Sequence, residues 1–195
     1  MDKLHNKGAI VLLAAGQSSR LGQAKQLIKY NGETLLNRSI RVCSNITRNE
    51  LFVVLGHQAE AIRETIDTPG NIIYNPEYKK GMGNSMSFAV RNLIQKNFDY
   101  IIFTLCDQIF LSENILKDLI KKFQDSNCGI ILSQYDKRSG PPALFDKVYF
   151  EELIQLEGDL GAKAIAMKYK KDLCFISFPK GDVDIDEPSD LFKLP

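Results

Sequence analysis

"GAIVLLAAGQSSRLGQAKQL", residues 8–27, is the stretch on which the fold turns. Its first half is an apolar, β-branched run of the kind that forms a strand buried on both faces. The run stops at Gly16, and a short polar loop follows that carries Arg20, Gly22 and Lys25. Small residues at 14–16 let a nucleotide approach the backbone closely, and exposed amides there suit anionic oxygens. Arg20 offers a planar fork to a polyphosphate and Lys25 a point charge. Two well-known phosphate loops do not fit. A P-loop has four residues between its glycines and then Lys-Ser/Thr, whereas Gly16 and Gly22 enclose five and Gln23 follows. A dinucleotide fingerprint is G-x-G-x-x-G, but Ser18 stands at the third position and the second apolar run ends in "LGHQ" without an acid. Spacing alone leaves two readings level: a nucleotide loop, or a plain strand–turn–helix with two solvated cations.

Working outward, "LFVVL" (51–55), "NIIY" (71–74) and "YIIFTL" (100–105) repeat the pattern of short buried strands. Between them, residues 34–43, 84–96 and 112–123 carry apolar positions at three- and four-residue spacing, which predicts helices, the last with Ser112 placed to cap it. Strand–helix–strand alternation predicts right-handed crossovers and a mainly parallel α/β sheet. Beyond residue 125 the rhythm loosens. "CGIIL" (128–132) and "LCFISF" (173–178) are expected as further strands, an antiparallel addition. Residues 146–157 and 159–169 read as helical, and "GPPALF" (140–145) as an extended turn.

The 195 residues suit one domain, 1–195, and no repeat or low-complexity linker divides them. With 25 cations against 24 anions, a general surface for nucleic acid is not expected and any basic site is local. Cys43, Cys106, Cys128 and Cys174 form no C-x-x-C pair and read as isolated, mostly buried, reduced thiols, which suits the cytoplasm. No apolar run approaches a membrane span, and "MDKLHNKG" has no apolar signal core, so no membrane association is expected. His5 and His57 have no partner in their neighbourhood and read as surface residues.

Three further segments supply chemistry. Asp107 directly follows the apolar run "YIIFTLC", where a carboxylate is costly unless paired, hydrogen-bonded or holding a cation. With Ser112 taking the cap, a hard cation beside a triphosphate is the preferred role for Asp107. "GDVDIDEPSD" (181–190) holds Asp182, Asp184, Asp186 and Asp190, by themselves an acidic loop of the kind usually just solvated. In "NPEYKKGMGNSMSFAV" (75–90), Gly81 and Gly83 permit a tight turn into a helix whose start presents Asn84 and Ser85.

"LLAAGQSSRLGQAKQL" closely resembles the L-A-A-G-x-S-x-R-x-G-x-x-K-x-L signature of the MobA-like nucleotidyltransferases, and within them the molybdenum cofactor cytidylyltransferase branch. "LCDQ" is similar to that family's L-G-D-Q, with Cys106 in place of the usual glycine. "DIDEPSD" resembles D-I-D-T-P-x-D, "GMGNS" resembles G-M-x-x-S, and "SGPPALF" and "GDLGAKAI" match two later segments.

The resemblance implies a three-layer Rossmann-like nucleotidyltransferase fold and transfer of CMP from CTP to the terminal phosphate of molybdopterin, with Mg2+. It implies Arg20, Lys25 and Asp107 as catalytic residues, and Leu13, Ala14, Ala15, Gly16, Gly81, Met82 and Ser85 as further nucleotide contacts. Asp107, Asp186 and then Asp184 would face the metal. Asp159 and Lys163 would contact the acceptor, though they fit equally as an i, i+4 surface pair on a helix. The product's recipient would be a molybdenum hydroxylase apoenzyme. Guanylyl transfer, sugar-phosphate nucleotidyl transfer and a non-catalytic cofactor chaperone are the competing readings. The guanylyl branch reads L-A-G-G where Ala15 stands here, and a methyl at that position favours a pyrimidine.

Overall fold

The computed structural model describes residues 7–47, 50–67, 70–136, 138–159, 161–187 and 189–190, so His5 lies outside the described residues. β1 (Gly8–Ala14), β4 (Leu51–Leu55), β5 (Asn71–Tyr74) and β6 (Tyr100–Leu105) fall where the apolar runs place them. A two-residue hairpin, β2 (Lys29–Tyr30) and β3 (Glu33–Thr34), follows the loop after β1. The main sheet has seven strands in the order β5-β4-β1-β6-β8-β7-β9, with β7 at Ile130–Tyr135, β8 at Arg138–Asp146 and β9 at Leu173–Ser177.

Only β8 runs against the others: it pairs antiparallel with both β6 and β7, while β9 pairs parallel with β7. Two expectations are corrected here. The segments at 128–132 and 173–178 run in the same direction as β1, and the one antiparallel strand is the stretch expected as a turn. Its prolines explain both the misreading and the solution. Pro141 and Pro142, joined by a cis peptide, cannot donate to a ladder, and the β7–β8 register jumps there from Leu132↔Ala143 to Ser133↔Gly140. Their carbonyls are satisfied by side chains instead, Ser133 Oγ donating to Pro142 at 2.7 Å and Gln108 Nε2 to Pro141 at 2.9 Å.

Alternation along β1 divides the core into two layers. Ala9, Val11 and Leu13 pack with Met86, Ala89, Val90 and Leu93 of α3 (Met82–Leu93) and with residues of α5 (Phe150–Ile154) and α6 (Lys163–Lys168). Ile10, Leu12 and Ala14 pack with Leu36 and Ile40 of α1 (Leu35–Ser44), Ile62 of α2 (Ala59–Glu64), and Leu116, Leu119 and Phe123 of α4 (Glu113–Asp125). Each fully buried Leu or Phe in these layers contributes about 1.5–3 kcal/mol. A third, small cluster of Leu21, Ile28, Leu35, Ile109 and Ile185 sits under the loop after β1.

Ser112 occupies the position before α4, yet its side chain makes no capping hydrogen bond; Thr34 does cap α1, accepting from Asn37 N at 3.1 Å. The helices expected at 146–157 and 159–169 are shorter, at 150–154 and 163–168. The cysteine expectation is corrected in part. Cys128 and Cys174 form a disulfide with their Cα atoms 5.9 Å apart, joining the approach to β7 to β9, while Cys43 and Cys106 are free and buried. Among the described residues no helix is long and apolar enough to cross a membrane.

Candidate functional site

A cleft of about 680 Å³ opens at the carboxyl ends of β1 and β6, within the usual size range for small-molecule sites. Leu13, Ala14, Ala15, Gly16, Arg20, Lys25, Gly81, Met82, Ser85, Asp107, Asp159, Asp184 and Asp186 all line it. Of the residues expected in the site, Lys163 alone is absent from its lining. It is exposed at the first position of α6, and because Asp159 precedes that helix, the two do not form an i, i+4 helical pair.

The loop after β1 is shaped by local hydrogen bonds. Ser18 adopts a left-handed conformation (φ 53°); its carbonyl accepts from Leu21 N and Gly22 N, and its Oγ accepts from Lys25 N at 3.1 Å. Gln26, almost fully buried, donates through Nε2 to the carbonyls of Ala14 at 2.7 Å and Gly16 at 3.1 Å. His57 N donates to the carbonyl of Ala15 at 3.2 Å. Three successive carbonyl oxygens, groups that repel anions, are thereby engaged by protein donors.

Lys25 is the electrostatic centre of the cleft. Its Nζ donates to Asp107 Oδ2 in a close ion pair and to Asp186 Oδ1 at 2.9 Å. Arg20 Nη2 reaches Asp186 Oδ2 at 3.5 Å from an exposed position. Burial alone disfavours the Lys25 ammonium, but the attraction and hydrogen bonds of Asp107 and Asp186 outweigh it and hold Lys25 well above its ordinary range. Asp184 is half-buried, and its carboxyl is pushed up first by that burial and then by the negative charges of Asp107 and Asp186. The neighbouring Cys106 thiol is pushed up to about 12, by burial and by Asp107. Asp182, in contrast, is committed to Arg138 at 2.8 Å.

The opposite wall is the turn into α3. Gly81 has φ 100°, and a Cβ there would collide with the Gly158 backbone and Asp159. Gly83 N donates to the carbonyl of Gly158 at 2.8 Å, so the 158–159 loop is seated on this turn. Ser85 Oγ accepts from buried Asn75 Nδ2 at 3.0 Å, and Asn75 Oδ1 accepts from Glu77 N at 2.9 Å. Tyr78 lines the same wall against Gly56, with its hydroxyl 3.3 Å from His57 Nδ1. His57 is therefore a half-buried, partnered residue, not the unpartnered surface histidine expected from sequence.

Gln26, Asn75, Tyr78 and Gln108 each fix a part of this site, and sequence reasoning assigned none of them a role. For Gln26 and Gln108 the available signal was an amide set beside an apolar stretch, as in "KQLI" and "CDQIF"; Asn75 and Tyr78 carried none. Gln108 Nε2 bridges the carbonyls of Pro141 and Gly181, at 2.9 and 3.0 Å, and so ties the start of the acidic loop to the end of β6.

Among the described residues no three of His, Cys, Asp and Glu form a closed metal-binding group. The residues present nevertheless fit a hard divalent cation that brings further ligands of its own. Asp107 Oδ1 is buried without a hydrogen-bond partner, and Asp184 and Asp186 share its cleft.

Comparisons with known proteins bear on the family and the fold. The chain is 28% identical over 164 residues to the purine catabolism protein PucB of Bacillus subtilis, an alignment covering 80% of this chain and 78% of that one. It is 29% identical to the molybdenum cofactor cytidylyltransferase of Escherichia coli, over 74% of this chain and 73% of that one. The nicotine blue oxidoreductase of Paenarthrobacter nicotinovorans is 28% identical over 94% of both chains. Among solved structures, Rv0371c of Mycobacterium tuberculosis superposes with a TM-score of 0.84 at 25% identity over 97% of both chains. Its manganese complex superposes at 0.79 with 23% identity, covering 96% of this chain and 97% of that one. The family-wide pattern described as "MobA-like NTP transferase domain" matches residues 10–173, and the chain belongs to that family.

Proposed function

We propose that this nucleotidyltransferase moves CMP from CTP to the terminal phosphate of molybdopterin, with Mg2+ as the supporting cation. The observation that carries the reading is the Lys25 ammonium held between Asp107 and Asp186, beside the Gly16 loop, with Asp107 Oδ1 unpartnered. That is a charge array for a nucleotide triphosphate and its cation. The acceptor phosphate oxygen attacks the α-phosphorus as the α–β bridging bond breaks, and the leaving electron pair departs on pyrophosphate. No covalent intermediate is required, so positioning and charge stabilisation do the chemistry. Lys25 and Arg20 turn from their carboxylates to the phosphates and stabilise the charge that builds on the leaving group. Asp107 and Asp186, with Asp184 beside them, would hold the cation, which when bound would supply charge neutralisation to the phosphates.

Base choice is supported on two sides. Leu13, Ala14 and Ala15 form one wall, where the Ala15 methyl narrows the space over the base. Gly81, Met82 and Ser85 form the other. Asn75 is fixed by Glu77 N so that it donates to Ser85 Oγ, which leaves the Ser85 hydroxyl proton for an acceptor such as cytosine O2 or N3. Asp159, exposed at the mouth beside Gly81, faces the acceptor side, and the product would pass to a molybdenum hydroxylase apoenzyme.

The test is pyrophosphate release from CTP and from GTP with Mg2+ and molybdopterin, alongside thermal shifts with CTP, GTP, ATP and UTP. Selective stabilisation and turnover with GTP overturns the cytidylyl reading, and binding without release favours a cofactor chaperone. A second reading, an oxidoreductase, is favoured by the nicotine blue oxidoreductase relative that aligns with 94% of both chains. Redox turnover without any nucleoside triphosphate would support it.

A further inference from the structure

We infer that Asp190 is the positioning residue for Asp186: it fixes the backbone of the acidic loop so that the Asp186 carboxylate meets Lys25 and the cation site. The inference rests on the site assignment proposed above and adds a residue that touches none of the reacting groups.

The acidic loop leaves β9 at the edge of the sheet and returns to the cleft over residues 178–186. Phe178 N donates to the Gln134 carbonyl at 2.8 Å, Gly181 N to Phe178 at 2.9 Å, and Gln108 holds the Gly181 carbonyl. From there the chain alternates. Ile185 is fully buried in the cluster with Leu21, Ile28, Leu35 and Ile109, with Val183 packed against it. Asp184 and Asp186 lie in the cleft lining. Ile185 therefore sets which way the two acids face, but a single buried residue leaves the chain beyond it free to pivot.

Asp190 removes that freedom. It is 8% exposed, and its Oδ2 accepts from Asp186 N at 2.9 Å and from Glu187 N at 2.8 Å, while Asp190 N donates back to the Glu187 carbonyl at 2.9 Å. Bonds from backbone N–H to a carboxylate are among the stronger ones in a protein. They act on the very peptide that carries the Asp186 side chain. Lys25 and Arg20 both reach Asp186, so the position of this peptide sets the spacing of the whole charge array.

Both amides converge on one oxygen. That detail makes the role testable, because the carbonyl oxygen of asparagine has two lone pairs and accepts both bonds without a negative charge. Asp190→Asn therefore keeps CMP transfer within about twofold of wild type, whereas Asp190→Ala loses roughly 10–100-fold in kcat, as loss of an outer partner of a metal-facing group does. Hydrogen exchange of the Asp186 and Glu187 amides gives a readout independent of turnover: fast in Asp190→Ala and protected in Asp190→Asn.

If Asp190→Asn falls as far as Asp190→Ala, the carboxylate acts through its charge and the positioning role is overturned. Wild-type rates or protected amides in Asp190→Ala overturn it as well. Should Asp190→Ala fail to fold, Asp190→Glu takes its place; it displaces the acceptor by one methylene and is expected to lose activity where Asp190→Asn does not. Asp107→Ala separates the two levels. Wild-type turnover in that variant sinks the site assignment, while a dead Asp107→Ala beside an active Asp190→Ala sinks only the role of Asp190.

Discussion

Lys25 Nζ lies 2.9 Å from Asp186 Oδ1, joining residues 161 positions apart, and the same ammonium is paired with Asp107. On the proposed site assignment, a metal cation drawn to Asp107 and Asp186 meets the repulsion of this ammonium. Lys25→Met should therefore raise Mn2+ affinity in the absence of nucleotide by about tenfold or more, because a like charge is removed from beside the carboxylates. Pyrophosphate release should fall by about 100–1000-fold in the same protein. Removing the partner of buried Asp107 should also cost the metal-free protein about 1–3 kcal/mol, part of which Mn2+ restores. Mn2+ titration followed by electron paramagnetic resonance checks the first effect, and unchanged affinity would rule out that repulsion.

Ala15 is buried at the end of β1, with its carbonyl tied to His57 N. Ala15→Gly should open the space over the base and narrow the kcat/KM preference for CTP over GTP by about tenfold, the scale of one methyl in a shaped pocket. Both substrates should be measured in the same preparation. A preference that stays put would mean that Ala15 does not face the base.

Asp99 clamps the ends of three segments. Its Oδ2 accepts from Lys7 N at 3.0 Å and its Oδ1 from Lys147 Nζ at 2.8 Å. The Lys147 bond is the main cause that holds the Asp99 carboxyl below its ordinary range. A depressed folded-state value means the stabilisation is fully present above the unfolded value, about 3.9, and is lost as pH falls through the lower folded value. Asp99→Asn should cost about 0.5–1 kcal/mol at pH 7, the modest figure for a partly solvated pair, and nothing once both states are protonated. Urea unfolding of the two proteins at pH 7 and below pH 3 tests this. A gap that persists in acid would have another origin.

Cysteine labelling counts the sulfur chemistry. Burial pushes the thiols of both Cys43 and Cys106 up to about 12, so neither is a thiolate at neutral pH. Iodoacetamide at pH 7.5 should add nothing to the native, unreduced protein, two groups after denaturation, and four after denaturation with reduction. Four without reductant would mean that Cys128 and Cys174 are not joined.

The sequence was most informative where one constraint acted alone. β1, β4 and β6 are almost wholly apolar because helices cover both faces, and that pattern survives without tertiary knowledge, while edge strand β5 shows it only in its two central isoleucines. β8 was illegible for the opposite reason. Its two prolines signal a turn locally, and only the register jump opposite Leu132 and Ser133 accommodates them inside a sheet. The Cys128–Cys174 pair, 46 residues apart, needs the β7–β9 neighbourhood before it has meaning. In the site, the residues gathered by the cleft were visible through their motifs, whereas Gln26, Asn75 and Gln108 act on carbonyls and hydroxyls brought near by folding. Lys163 was expected from a motif match alone, and it stands exposed at the first position of α6, outside the cleft lining.

The acidic loop also sets an order in time. Asp107 directly follows the central strand β6, but Asp184 and Asp186 follow β9, the last strand among the described residues. A chain emerging from the ribosome can lay down its whole sheet while the charge array is still half built. Architecture and competence are thus separable along the chain, the one complete at β9 and the other only after it.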